Sequence, residues 1–245
     1  LSNFRLLSTV SIGVIMNNKT NNEPSKKQSI SDEQAAANIE QAFGMNQDCN
    51  PVAVNRRNLR MQFVVHGLVF VAALALWAAS DAWRLVSDLV FASGFSVFAS
   101  ILFGITMAHI LHEWSHFLGA FISGADYTVK EKPAPLFFDF DYKSNTKKQF
   151  LSMSIGGTVG NILFLMAIYF IIPMDSIGRI MLLAVAIGMI FYVSVIEFPV
   201  IKLASSGHSA MESLMAHLGQ GPAILNIAML SGVVTTMISF FLIFL

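Results

Sequence analysis

Residues 89–122 read LVFASGFSVFASILFGITMAHILHEWSHFLGAFI, and Glu113 is the only Asp, Glu, Lys or Arg among them. Residues four apart on a helix share one face, so His112 and His116 can bind one Zn²⁺ together. Glu113 lies beside them, where it can take a proton from a water held by the metal. Ionisable groups are costly inside a bilayer unless they bind something. The stretch therefore predicts zinc chemistry within a membrane.

The composition indicates a membrane protein. Hydrophobic residues make up 55% of the chain and charged residues 12%, whereas soluble domains carry about 25% charged residues. The mean hydropathy is +0.63, and the formal net charge of zero argues against nucleic acid as a partner. Cys49 is the only cysteine. An intrachain disulfide and a thiolate zinc site are therefore excluded, and any metal must be held by His, Asp or Glu.

Several apolar stretches reach the length needed to cross a bilayer, which is about 20 residues. We expect five membrane spans, at about residues 61–79, 89–122, 150–172, 177–201 and 223–245. They predict an all-α polytopic membrane protein embedded in a lipid bilayer.

Lysine and arginine are unevenly distributed between the two sides of these spans. Nine lie on one side, namely Arg56, Arg57, Arg60, Lys130, Lys132, Lys143, Lys147, Lys148 and Lys202, and two lie on the other, Arg84 and Arg179. Positive residues favour the cytoplasmic side, which predicts a cytoplasmic N-terminus and a cytoplasmic 124–149 loop. His112 would then lie roughly 15 Å before the cytoplasmic end of its span. Short loops and cysteine-free spans suit a bacterial inner membrane.

The first 58 residues differ from the rest of the chain. Residues 17–58 are rich in Asn, Gln, Ser, Lys and Glu, so we interpret residues 1–58 as a disordered cytoplasmic tail and residues 59–245 as the membrane domain. A short helix is expected at residues 31–43, capped by Ser31. We interpret residues 1–15 as an artefact upstream of Met16, with a degenerate targeting sequence as the alternative.

Three stretches occur in this order along the chain: HEWSHFLGAFISGA (112–125), which contains the histidine pair, GGTVGN (156–161) and PVIKLASSGH (199–208). They resemble three motifs of the site-2 protease family, the intramembrane zinc metalloproteases. These motifs are a His-Glu-x-x-His-x-x-x-Ala helix, a Gly-Pro-x-x-Asn stretch and a Pro-rich stretch leading to Leu-Asp-Gly-Gly-His. The resemblance covers roughly residues 95–215.

The resemblance implies a three-helix metalloprotease core at about residues 89–215 and one Zn²⁺ per chain. It implies a zinc endopeptidase that cuts a peptide bond in or next to a transmembrane segment of a membrane protein substrate. His112 and His116 would bind zinc. Glu113 would act as the general base and then pass its proton to the leaving amine.

The third zinc ligand is the open question, because the family's ligand is the Asp of Leu-Asp-Gly and Ser205 stands at that position here. Zinc requires a third protein group. We predict His208, since Ser205, Ser206 and Gly207 form a turn that can swing its imidazole back. The alternatives are Glu212, one helical turn further on, and Glu197, a buried acid beside Pro199. His208 and Glu212 can equally be a solvated pair on a short amphipathic helix at residues 210–218.

Asn161 and its neighbouring glycines form the second stretch. The Asn161 amide can hold a substrate backbone or stabilise the oxyanion of an attacked peptide bond, or it can make a structural hydrogen bond between helices. Gly156, Gly157 and Gly160 leave one side of their helix nearly smooth, which favours close helix packing.

The loop between the second and third spans alternates aromatic and acidic residues at LFFDFDY (136–142). This pattern predicts a strand with one apolar face, and the family resemblance implies a short β-hairpin here. Its edge can pair with an unwound substrate segment. The alternative is an interfacial loop with aromatic anchors.

Two other functions compete with proteolysis. The missing Asp suggests a catalytically inactive protease relative that binds transmembrane partners. Intramembrane histidines also occur in metal-ion transporters, but a Glu between the two histidines has no special value there and few other polar groups would form a path.

Overall fold

The structure, a computed structural model, describes residues 51–219 and 221–245. The described chain forms helices α1 (Pro51–Val86), α2 (Val90–Ile122), α3 (Lys147–Ile171), α4 (Ile177–Ser205), α5 (Ala210–Leu218) and α6 (Pro222–Phe244), with strands β1 (Tyr127–Val129) and β2 (Phe138–Phe140) between α2 and α3.

Five of these helices, all except α5, are long and apolar enough to cross a membrane. The prediction of an all-α polytopic protein with five spans and a short hairpin is therefore confirmed. The expected helix at 31–43 and the interpretation of residues 1–15 lie outside the described residues. Residues 51–58, which we assigned to the tail, instead form the first turns of α1. Their polar side chains resemble a tail in composition, but Asn55 and Asn58 form hydrogen bonds within the fold.

Helices α2, α3 and α4 form the centre, and α1 and α6 lie at the margins. Within the most apolar 18-residue segment of each helix, 11% is buried in α1 and in α6, against 39% in α2 and 44% in α4. Apolar side chains from the three central helices pack into one core cluster: Phe103, Met107, Ala108, Phe164, Ile168, Leu182, Leu183 and Ala186. The outward faces of the bundle are apolar and exposed, as a lipid-facing surface requires.

Glycines let the backbones of α2 and α3 touch. A Cβ at Gly119 would overlap the Ser152 carbonyl oxygen, and one at Gly156 would overlap that of Ser115. Small residues at such crossings are how helices pack in lipid, where no hydrophobic force drives them together. The packing predicted for the glycines of α3 is therefore present, and it brings α3 against the turn of α2 that carries His112 and His116.

Polar side chains of α1 occupy the outer edge of β1. Asn55 donates to the Tyr127 carbonyl (3.1 Å) and accepts from the Val129 N–H (3.0 Å), while Asn58 donates to the Val129 carbonyl (3.1 Å). In an antiparallel ladder these are the groups that point away from the partner strand. Asn55 and Asn58 thus form hydrogen bonds with the outward backbone groups of β1, as a third strand would. These contacts, with residues more than 70 positions away in the sequence, hold the start of α1 in place.

The same face of α1 continues to hold the loop after β1. Gln62 is fully buried and donates to the Lys130 and Lys132 carbonyls at 3.0 and 2.8 Å. His66 Nε2 donates to the Ala134 carbonyl (3.2 Å), because a carbonyl can only accept. His66 Nδ1 is then free to accept the indole N–H of Trp114 (3.0 Å). One polar stripe therefore connects α1, the hairpin loop and the helix that carries the histidine pair.

The outer edge of β2 has no such cover from α1. Lys130 N–H donates to the Phe137 carbonyl and Asp141 N–H to the Asp126 carbonyl. Residues 137 and 141 therefore face β1, and the backbone groups of Phe138 and Phe140 between them point away from it. Phe138, Asp139 and Phe140 line a cavity beside the histidine pair. The strand of the hairpin whose outer edge α1 leaves uncovered therefore contributes to the wall of that cavity.

At the other end of the bundle, a buried charge cluster joins α1 to α4. Asp81 is 4% exposed and accepts from Arg179 Nε at 2.8 Å and from Arg179 Nη2 at 2.7 Å. Ser176, the N-cap of α4, also donates to Asp81 (3.0 Å). The buried carboxylate is thus fully paired, as a charge in an apolar bundle must be.

Replacement of Gln62 tests the role of the polar stripe. Gln62→Met keeps the length of the side chain but removes its hydrogen bonds to the loop, so buried backbone groups lose their partners. We expect the free energy of unfolding to fall by about 1–3 kcal/mol. Thermal unfolding of the purified protein in detergent measures this. Leu68→Met, at an exposed position of the same helix, is the control. Equal unfolding midpoints for the two variants would contradict the assigned role.

Candidate metal centre

Two imidazoles from α2 and one carboxylate from α4 meet inside the bundle. His112 Nε2 lies 3.0 Å and His116 Nε2 lies 2.7 Å from Oε1 of Glu197. The two Nε2 atoms are 2.9 Å apart. These ligand atoms all lie within 4.8 Å of one another, so the three residues could hold a metal ion. Two imidazole nitrogens and one carboxylate oxygen are a donor set that zinc binds in catalytic sites.

A hydrogen bond made by Nδ1 of His116 determines that Nε2 is the nitrogen that faces Glu197 and His112. His116 Nδ1 lies 2.8 Å from the Met153 carbonyl, which can only accept, so Nδ1 carries a proton. In the neutral ring Nε2 then has a lone pair, and that lone pair points at a carboxylate oxygen and a second imidazole. Such an arrangement is repulsive unless a cation, either a proton or a metal ion, lies between the three groups.

Asn161 lies behind His112 and has an unpaired atom. Its side-chain Nδ2 is 3.3 Å from His112 Nδ1, and its Oδ1 is buried without a hydrogen-bond partner. If His112 binds a metal through Nε2, its Nδ1 carries the proton and needs an acceptor. Rotating the Asn161 amide by half a turn would supply Oδ1 as that acceptor. The unpaired Oδ1 of Asn161 is therefore easier to explain if His112 binds a metal ion than if the site holds no cation.

Glu197 is held on its other side by α3. Thr158 donates its hydroxyl to Oε2 of Glu197 at 2.9 Å, which leaves Oε1 for the histidine pair. Each of the three candidate ligands thus has a fixed partner behind it, and all three of those partners belong to α3. Such supporting contacts orient metal ligands in proteins generally.

Gly157 lies directly against both imidazoles. A Cβ at this position would overlap His116 Cε1 and Nε2 and would come within 2.7 Å of His112 Cε1. The absence of a side chain therefore makes room for the two rings between α2 and α3. The sequence showed the glycine and its packing role, but not its contact with the rings, because that contact depends on the register of the two helices.

Glu113 is buried at 7% exposure and lines the same cavity as the three candidate ligands. Within the described residues no hydrogen bond or ion pair holds its carboxylate. The cavity has a volume of about 610 Å³, and its walls include the β2 edge and Asn161. Lys130 and Asp139, paired at 3.3 Å, also line it. A buried, unrestrained carboxylate beside a candidate metal site can accept a proton from water in the cavity.

The residues predicted as third ligand lie in different places. Glu197, named as an alternative, is the one that the structure brings to the histidine pair. His208, our first choice, is exposed, and its Nδ1 faces the Leu203 carbonyl at 3.2 Å and the Ser206 hydroxyl at 3.3 Å. The turn does not fold back toward α2, because the Ser206 and His208 N–H groups instead cap the end of α4.

Glu212 is also exposed and belongs to the first turn of α5. It forms a capping box with Ser209, in which the Ser209 N–H donates to Oε2 at 2.9 Å. That hydrogen bond lowers the pKa of the Glu212 carboxyl. His208 and Glu212 thus match the alternative interpretation of a solvated pair at a short amphipathic helix. His109 lines the cavity but is not part of the three-residue group.

Comparisons of this chain with family models, with curated proteins and with solved structures find no match.

A methyl group at Gly157 tests whether the two rings form the site. Gly157→Ala would push both imidazoles away from Glu197, so we expect the dissociation constant for Zn²⁺ to rise about 10- to 100-fold. Metal titration of the purified, metal-stripped protein measures this. Gly94→Ala in α2, where a Cβ would meet nothing within 4 Å, is the matched control. Zinc affinity that is the same in both variants would argue against this site.

Proposed function

We propose that this chain is an intramembrane zinc endopeptidase that resembles the site-2 proteases. The observation that carries the proposal is the convergence of His112, His116 and Glu197 within a membrane-spanning bundle, with Glu113 in the same cavity. Glu197 supplies from within the fourth span the carboxylate that the family takes from Leu-Asp-Gly. The serine at position 205 is therefore compatible with an intact site.

Zinc bound there would polarise a water molecule and lower its pKa to about 7. The remaining chemistry belongs to the chain. Glu113, free of other hydrogen bonds in the described structure, accepts the proton of the attacking water and returns it to the leaving amine. The three candidate ligands and Glu113 are largely buried, which strengthens the electrostatic interactions among them.

Asn161 can orient His112, stabilise an oxyanion in the substrate, or do both in this scheme. Its carboxamide lies against His112 and lines the cavity. With its oxygen turned toward His112, it orients that ring, and its NH₂ group is then available to the opposite side. Stabilisation of an oxyanion in the substrate, as the family resemblance suggests, would use that NH₂ group.

The β2 edge supports a substrate in extended form. A transmembrane helix hides its peptide bonds, so it must unwind before a water can reach one. The backbone groups of Phe138 and Phe140 point away from β1, and both residues line the cavity, so an extended segment that enters the cavity can pair with this edge. The apolar cavity walls, including Leu136 and Tyr192, suit the side chains of a membrane-spanning substrate.

The charge distribution gives the orientation in this proposal. Lys130 and Lys132 lie in the hairpin loop at the end of the bundle that holds the site. With the other positive residues of that side they support an orientation in which the N-terminus, the hairpin and the proposed cleavage site lie toward the cytoplasm.

Glu113→Gln tests the proposed catalytic role. The amide keeps the shape of the side chain but cannot accept a proton, so we expect cleavage of a co-expressed single-span membrane protein to fall at least about 100-fold. Zinc content and the unfolding midpoint should stay as in the wild type. Asp88→Asn, which changes an exposed acid between α1 and α2, is the control and should cleave normally.

The same experiment separates the competing functions. An inactive relative that binds transmembrane partners would show no cleavage in the wild type, and a transporter would show metal flux across vesicles that Glu113→Gln leaves intact. Cleavage by Glu113→Gln at the wild-type rate would refute the proposed role of Glu113.

A further inference from the structure

Pro199 interrupts the hydrogen-bond ladder of α4 close to the candidate metal ligand Glu197. Proline has no backbone N–H, so it cannot donate to the carbonyl four residues earlier, which is that of Val195. A carbonyl without a partner is costly inside an apolar bundle. The affected turn, residues 195–199, contains Glu197.

His217 of α5 supplies a donor to this carbonyl. Its Nε2 lies 3.0 Å from the Val195 carbonyl oxygen, across 22 residues of sequence. Since a carbonyl only accepts, Nε2 carries the proton and donates. The imidazole thus stands in for the N–H that Pro199 lacks.

The position of His217 is well defined because α5 is well anchored. The capping box between Ser209 and Glu212 fixes the start of the helix, and Ser213, fully buried, donates to the Ser209 carbonyl at 2.8 Å. Leu214 packs against the apolar cluster beneath the site, and with Leu218 it lines the same cavity as Glu197. His217 therefore reaches α4 from an element that already forms one wall of the site.

We propose that His217 is a positioning residue for the metal centre. By satisfying the Val195 carbonyl it holds the proline-interrupted turn of α4 in the conformation that directs Glu197 toward His112 and His116. It touches neither the candidate ligands nor the substrate, and it acts through the backbone of α4. This inference rests on the metal centre of the proposed function, but not on proteolysis.

The test is a double-mutant cycle between His217 and Pro199, read by Zn²⁺ affinity of the purified, metal-stripped protein. His217→Leu removes the donor, and we expect the dissociation constant to rise about tenfold or more. His217→Gln keeps an N–H donor and should recover most of the affinity. Pro199→Ala restores the backbone N–H at position 199. In that background His217→Leu should change the dissociation constant less than about twofold, because the Val195 carbonyl no longer depends on the imidazole.

A second cycle uses the thermal unfolding midpoint, measured without metal, of the wild type, His217→Leu, Pro199→Ala and the double variant. His217→Leu should lower the midpoint when residue 199 is proline and leave it nearly unchanged when residue 199 is alanine. This measurement reads the hydrogen bond even if Pro199→Ala by itself shifts Glu197 and weakens zinc binding.

The outcomes separate this inference from the proposed function. A wild type that binds no zinc refutes the metal centre. A wild type that binds zinc, with equal effects of His217→Leu in both backgrounds, leaves the metal centre standing and refutes the role of His217. Coupling in the unfolding cycle without coupling in zinc affinity also refutes the positioning role, because the bond would then be only structural.

Discussion

The convergence of two imidazoles and a carboxylate in an apolar bundle is the constraint on which the rest of this structure depends. None of these groups is stable there alone, because each would keep a charge or a lone pair away from water. Together they form a site that a cation completes. The contacts behind them, from Met153, Thr158 and Asn161 of α3, orient the three groups. The close approach of α2 and α3 allows the contacts to the two histidines, and the packing of α3 against α4 brings Thr158 to Glu197.

The elements around the site have separate tasks. Helix α1 takes the place of a third strand at the outer edge of β1, and β2, whose outer edge α1 leaves uncovered, lines the cavity. Helix α5 closes another wall and reaches the turn of α4 that proline interrupts. The three candidate ligands and Glu113 therefore come from α2 and α4, while α1, α3 and α5 hold the surrounding elements in place.

Local sequence features predicted the parts of the structure that depend on nearby residues. The spans follow from the length of the apolar stretches, and the pairing of His112 with His116 follows from helical spacing. Strand β2 follows from the alternation at residues 136–142, and its pairing in a hairpin is what the family resemblance implied. The third ligand could not be predicted with the same certainty, because Glu197 lies 81 residues beyond His116 in the sequence and reaches it only through helix packing. The polar start of α1 resembles a tail in sequence for the same reason, since the partners of Asn55 and Asn58 lie more than 70 residues away along the chain.

The ligand set at the metal is the central claim, and X-ray absorption at the zinc edge of the zinc-loaded, purified wild-type protein tests it most directly. We expect one zinc per chain with two imidazole ligands at about 2.0–2.1 Å and oxygen ligands at about 2.0–2.2 Å, one of them from a carboxylate. A spectrum with three imidazoles would contradict this ligand set and would indicate His109 or His208 in place of Glu197. Zinc that dissociates during purification at neutral pH would contradict the site itself.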